Sequence, residues 1–352
     1  MKLETWSIQG QAFHFGKHGI GQEESGVIFH SDSLLAALIS ILAQTGQGNL
    51  VPQFMDQLMK APPAFVLSSA FPRAGKIRFF PLPRWVMTRD NLSLENAGFS
   101  GKSIKKIQYV SESIFKQLIA GQSLALEIQN ATQLQDGYIL CAPSEKDKFP
   151  AGLQTSGKLW ELDQRPRVTL DRLNQSSNLY HTGAVRFAPD CGLWFALKWN
   201  DPDPDLKKIV HNLIQLLADA GLGGERSSGF GQTKITQSGF LELPEMDDHS
   251  SWVTLSRYIP KADEISALLH PHSVYQLERV SGWSQSPTAP AERRQVVQML
   301  SEGSVLGPLT AHDPGEIVDV RPVYNGTVTF PHPIYRSGFA MAVSINHSGG
   351  TT

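Results

Sequence analysis

Apolar positions along the chain switch between a period of two and a period near 3.6. Leu3 to Phe15 alternates and predicts a first strand, followed by a loop spotted with Gly16, Gly19, Gly21 and Gly26. In FHSDSLLAALISILAQ, Leu34, Leu35, Leu38, Ile39 and Leu42 share one helical face, and Ser31 or Asp32 is placed to cap that helix. Strand patterns return at Lys76 to Phe80 and at Gly192 to Trp199, where Asp-Pro-Asp-Pro-Asp stops the run. Leu206 to Ala220 then repeats apolar residues at helical spacing, GLGGERSSGFG follows from Gly221 to Gly231, and Gln232 to Gln237 is again β-rich.

Strand, helix, two strands, helix, strand is the order of a ferredoxin-like β-α-β-β-α-β unit, interrupted by a long insertion at about 81–189. The first domain thus spans 1–245, with the glycine-rich loop between its second helix and its last strand. After a polar break the pattern restarts. Trp252 to Ile259, Ser273 to Gly282, Arg293 to Leu306 and Gly338 to Ile345 read as strands, and Asp263 to Leu269 as a short helix. A second, smaller ferredoxin-like unit with a degraded second helix is expected over 250–346, and 347–352 as a disordered tail. The fold class is α+β.

Composition narrows the function. The chain has 352 residues, 41% hydrophobic, enough to bury a core, and a net charge of -2, so no global positive field would hold nucleic acid. Any such binding must come from local clusters. Cys141 and Cys191 lack metal-type spacing. The start, MKLETWS, has no apolar leader core, and the run Leu34 to Ala43 is too short to span a bilayer, so a cytoplasmic protein is expected.

Five glycines in eleven residues exceed what a helix cap needs. Glycine at this density serves positive φ or close backbone approach, and the amides of such a loop can cradle anionic oxygens. Nucleotide-binding loops do not fit, because they follow a strand and open a helix, the reverse of the order here. Their patterns fail too: G-x-G-x-x-G from Gly221 would need glycine at Arg226, and the Walker pattern from Gly224 meets Phe230 where lysine belongs.

Several segments together carry a family resemblance: FHFG with its glycine loop and HSDSLLAAL, GKIRFFPLP, RPRVTLDR with Leu179-Tyr180, GLGGERSSGFG, EGSVL, and HPIYRSGFAMAVSI. They resemble, in order and over most of the chain, the fourth subunit of the Csm complex, a RAMP-superfamily protein of type III-A CRISPR effectors. The resemblance implies a non-catalytic RNA-binding subunit without cofactor or metal. It implies as partners the repeat-derived 5′ handle of the CRISPR RNA, the large polymerase-like subunit and the backbone RAMP subunits, in a role in self versus non-self discrimination. The alternative is a metal-independent CRISPR RNA-processing endoribonuclease, as some superfamily relatives are.

Holding single-stranded RNA takes backbone donors, basic side chains and flat surfaces. Gly223, Gly224, Gly229 and Gly231 supply the donors; Arg226, flanked by Ser227 and Ser228, supplies a fork for phosphate. Arg165, Arg167 and Arg172 form a second candidate cluster, with 165 and 167 on one side if the segment is extended; local pairing with Glu161, Asp163 and Asp171 is the competing reading. His14 reads as a packing or RNA-contact residue, with His18 and His30 nearby. Lys102, Lys105 and Lys106 read as a solvated face. His312-Asp313 resembles a metal-nuclease doublet without further ligands. Trp283 to Arg294 reads as a projecting hairpin that, by the resemblance, wedges against guide RNA, and Tyr335 and Phe339 serve packing or the large subunit.

Overall fold

The computed structural model describes all residues except 17–21, 90–100, 123–127, 171–176, 287–288, 311–312, 329 and 347–352. His18, Arg172, His312 and the expected tail therefore lie outside the described residues.

The predicted first strand is two. β1 (Lys2–Gln9) ends where Gly10 comes so close to the Gln232 carbonyl and the Phe13 ring that a Cβ would sit 2.5 Å from each; β2 (Ala12–Phe13) follows in a different sheet. α1 (Ser31–Leu42) buries Leu34, Leu35 and Leu38 as the periodicity predicts. Irregular turns and α2 (Val51–Leu58) follow. The helical stretch Ser31–Leu58, 28 residues, contains an 18-residue window of mean hydropathy 1.4, the length and composition of a membrane span, which the shorter apolar run had not suggested. It is broken, however, at Gly46, whose φ is 77°, and α1 turns its apolar face into the protein core.

β3 (Phe65–Leu67), β4 (Phe71–Ala74) and β5 (Ile77–Pro81) come next, then β6 (Tyr109–Ser111), β7 (Thr132–Leu134) and β8 (Ile139–Cys141). β9 (Trp160–Leu170) and β10 (Ser177–Phe187) form a long hairpin. β11 (Cys191–Trp199) is buried at every position but the last, as a central strand covered on both faces must be. α3 (Pro204–Ala220) starts on Pro204 behind Asp203, whose carboxylate accepts the Asp205 amide at 3.1 Å. It buries Leu206, Val210, Leu213, Ile214 and Leu217 and ends at Gly221, φ 83°. β12 (Lys234–Glu242) closes this half.

These strands make a nine-stranded sheet in the order β12-β1-β11-β4-β5-β6-β8-β7, with β3 also on β11. Pairings are antiparallel from β12 through β6, and β6 runs parallel to β8. The expected insertion is thus no separate body: much of it extends the main sheet. Among its described strands only β9 and β10 leave that sheet, β10 pairing with β2 and with Gln22–Glu23.

In the C-terminal half the strands are shorter than the sequence pattern suggested. β13 (Trp252–Thr254) is followed by α4 (Ile265–Leu268), β14 (Leu277–Val280) and the hairpin of β15 (Trp283–Ser286) and β16 (Ala289–Arg293). β17 (Val297–Leu300), β18 (Val305–Leu306) and β19 (Ala342–Ser344) follow, with two short antiparallel pairs between the last two, Ile317–Asp319 with Tyr335–Ser337 and Val323–Tyr324 with Thr327–Val328. β13 sits between β18 and β19, both antiparallel, and a bridge from Val274 to Val305 continues the order. Val253, Leu255, Val305, Phe339 and Met341 join the same buried cluster as Leu35 and Phe65, so one apolar core runs across both halves. Phe339 is therefore a packing residue, and Tyr335 packs at its edge.

Candidate nucleic-acid interface

Cross-strand register sets which arginines face one way. Arg165 lies opposite Thr182 and Arg167 opposite Tyr180, so Asp163, Arg165 and Arg167 project on one side of the hairpin. That side meets the glycine-rich loop. Arg167 Nη1 donates to Ser228 Oγ at 2.7 Å and lies 3.5 Å from Glu225. The guanidinium carbons of Arg165 and Arg167 each stand 5.8 Å from the centre of the Phe230 ring, which is buried. Arg165 also pairs with Asp163 at 3.1 Å, where Arg186 joins at 3.3 Å, and these hydrogen bonds, Arg165's first, hold the Asp163 carboxyl below the usual range. Local pairing thus takes up part of Arg165, while Arg167 reaches across to the loop.

Close packing accounts for three of the glycines. Gly223, φ 88°, leaves no room for a Cβ, which would lie 2.5 Å from the His14 carbonyl; Gly224 would meet the His14 ring at 2.9 Å; and a Cβ at Gly231 would strike the Leu222 carbonyl. Gly229, φ 86°, faces open space and is needed for its backbone angle alone. The loop is tied down through its amides: Gly224 donates to His14 O at 2.9 Å, Gly231 to Ala12 O at 2.8 Å and Ser228 to Glu225 O at 2.9 Å. It is therefore not the bare cradle that its composition suggests. Among the described residues, the amides of Gly223, Glu225, Arg226 and Ser227 have no acceptor.

Arg226 does not pair with Glu225. Its Nη1 donates to the Ala220 carbonyl at 3.3 Å, at the electronegative end of α3, and the guanidinium remains exposed. His14 is buried, its Nδ1 2.6 Å from the Gly183 carbonyl. A carbonyl only accepts, so Nδ1 carries the proton and the ring pins β10 to the loop. The hairpin arginines and the glycine-rich loop, far apart in sequence, thus adjoin one another, with His14 buried beneath the loop.

Sequence reasoning misjudged the start of α1 and missed the seam behind it. His30 occupies the N-cap position without a capping side chain. Ser31 Oγ accepts the Arg257 amide at 3.0 Å, and Asp32, fully buried, takes Arg336 Nη1 at 2.5 Å and Arg257 Nη1 at 3.4 Å. Burial pushes the Asp32 carboxyl up, but Arg336 and Arg257 outweigh it and hold the carboxyl low. His30 Nδ1 lies 2.8 Å from Glu302, which also accepts from Ser69. Burial likewise works to raise Glu302, yet His30, Arg257 and the Ser69 hydroxyl bring it down to about 2. Asp313 pairs with Lys198 at 2.9 Å and accepts from Asn200, so half of the nuclease-like doublet is a structural tie. Lys102, Lys105 and Lys106 are exposed, as expected, on the short helix Gly101–Lys106. Phe230 and Glu225 were visible within the loop motif, but nothing local marked them as partners of the hairpin.

Known proteins resemble the chain on both levels. The model for the CRISPR Csm4 C-terminal domain matches residues 247–345. The CRISPR system Cms protein Csm4 of Streptococcus thermophilus is 31% identical over 344 residues, 95% of this chain and 96% of that one. Its counterpart in Methanocaldococcus jannaschii is 24% identical over 324 residues, 84% and 82% of the two chains. In fold, the chain is similar to one from the crystal structure of a Csm3–Csm4 subcomplex of the type III-A CRISPR-Cas interference complex, with TM-score 0.66 at 19% identity over 98% of this chain and 100% of that one. A chain from a Csm1–Csm4 cassette in complex with cA4 gives TM-score 0.59 at 15% identity over 99% and 100%. The mixed α+β architecture around one large sheet is therefore that of a CRISPR-system protein of the Csm type. Within that class, the chain belongs to the Csm4 family.

Proposed function

We propose that this chain is a non-catalytic subunit of a type III-A effector complex that holds single-stranded RNA, the repeat-derived 5′ handle of the guide, on the surface where the glycine-rich loop meets the β9–β10 hairpin. The observation that carries this reading is convergence. Unengaged amides at Gly223, Glu225, Arg226 and Ser227, the exposed Arg226 guanidinium, and Arg165 and Arg167 over Phe230 adjoin one another on one surface. Phosphates would meet the amides and guanidinium groups, which together supply the local positive field that the net charge of -2 does not.

Relatives solved together with Csm3 and with Csm1 support assembly with backbone subunits and with a large polymerase-like subunit. The order β12-β1-β11-β4, all antiparallel, supports a ferredoxin-like unit over 1–245, and β19-β13-β18 with the Val274 bridge supports a second over 250–346. A nuclease role has less support, since His14 is buried against Gly183 and His30 is held by Glu302.

Arg226→Glu is expected to weaken handle-RNA binding by about tenfold or more in fluorescence anisotropy and to leave the circular dichroism spectrum unchanged. Unaltered binding would remove the loop from the interface. Cleavage of precursor RNA by the wild-type protein, lost in His14→Ala, would replace the reading with the endoribonuclease.

A further inference from the structure

Arg294 is a half-buried cation that the described residues leave without a counter-charge. It stands at the root of the β15–β16 hairpin, its amide donating to the Gly282 carbonyl at 3.0 Å and its guanidinium pressed against Gly282. The ion pairs of the nearby seam bypass it: Asp32 is taken by Arg336 and Arg257, and Glu278 by Arg257 at 3.0 Å. Glu292, two residues earlier, makes no hydrogen bond to it among the described residues, and its own Oε2 is buried without a partner. Burial first, and then Arg336, push the Arg294 guanidinium down to about 10, with Asp32 a weaker opposing pull. Its Nε is buried with no acceptor in reach, and so is that of Arg257.

Asp32, Glu302 and Glu278 thus serve Arg257 and Arg336, and Asp32 is the one carboxylate whose field also reaches Arg294. A cation shielded from water beside like charges is destabilising unless something anionic reaches it. An oxyanion with several acceptor oxygens fits the planar forks of adjacent arginines. On the same hairpin Trp283 is 49% exposed, with Arg293 5.6 Å from its ring centre, a flat surface suited to an unstacked base rather than to an acidic side chain.

We propose that Arg294, backed by Arg257 and Arg336, is a second oxyanion site that takes one backbone phosphate of single-stranded RNA. The source of that phosphate rests on the RNA-binding reading above, but the site uses none of the residues of the glycine-rich loop. The test is anisotropy with labelled single-stranded handle RNA across a salt series, on wild type, Arg226→Glu and Arg294→Met, with thermal melting of each protein without RNA. Arg294→Met is expected to bind about tenfold more weakly, with a log–log salt slope shallower by ~0.7, and to melt at the wild-type temperature or above, because an uncompensated cation has been removed. Wild-type affinity in Arg294→Met, with Arg226→Glu impaired, would overturn this site and leave the loop reading intact. A lowered melting temperature in Arg294→Met would make the arginine structural and also overturn it. If poly-glutamate, and not RNA, bound in an Arg294-dependent way, the site would be one for carboxylates. If wild type bound no RNA, both readings would fall together.

Discussion

Single glycines in the loop do different work, and their substitution separates the two uses. Gly223 combines a left-handed φ with a backbone contact that leaves no room for a methyl group, whereas Gly229 has the angle without the neighbour. Gly223→Ala is therefore expected to destabilise the protein by about 2 to 3 kcal/mol and Gly229→Ala by about 1 kcal/mol, measured by urea unfolding. Equal losses would mean that the loop gives way at His14. Arg226 shows how far a residue type alone reaches. An arginine inside a glycine run predicts an anion site by its chemistry, but its bond to Ala220, at the end of α3, follows only from the path of the chain.

Among the elements, the β9–β10 hairpin gains its meaning from what it touches. Its alternation was legible in RPRV, and with it the shared side of Arg165 and Arg167. The contact with Ser228, Glu225 and Phe230 was not, because it joins segments 61 residues apart in sequence. Arg167→Ala is expected to loosen that contact, speeding amide exchange at Ser228 and Gly229 while costing under about 1 kcal/mol of global stability, since the pair is partly exposed. Unchanged exchange would show the loop to be rigid without the hairpin. Element ends were read less well. The single strand expected over Leu3 to Phe15 breaks at Gly10, and the long C-terminal strands shrink to short pairs joined by isolated bridges, since their boundaries depend on neighbours that local periodicity does not register.

Across the whole molecule, the charged seam behind α1 ties the two halves together. Asp32→Ala would leave the buried Arg336 without its ion-pair partner and Arg257 with Glu278 alone, an expected loss of about 3 to 5 kcal/mol by urea unfolding. Glu302 makes the seam sensitive to acid. Its folded pKa, about 2, lies below the ordinary glutamate value of 4.5, so its contribution is complete above about pH 4.5 and disappears as pH falls toward 2. The shift corresponds to a contribution on the order of 3 kcal/mol, and Glu302→Gln should flatten the dependence of stability on pH in that window. An unchanged slope would assign acid sensitivity to Asp32 or to other carboxylates.

Periodicity, capping chemistry and glycine density, all properties of neighbours in sequence, were enough to determine the α+β class, the helix Leu206–Ala220, the turn at Gly221 and the loop motif. Tertiary structure alone decided that Asp32 would be an ion-pair centre instead of a cap, that much of the insertion would extend the main sheet, and that Arg167 would meet Ser228. Those outcomes depend on which charges and backbone atoms are brought within a few ångströms by chain folding, and separation along the sequence does not encode that distance.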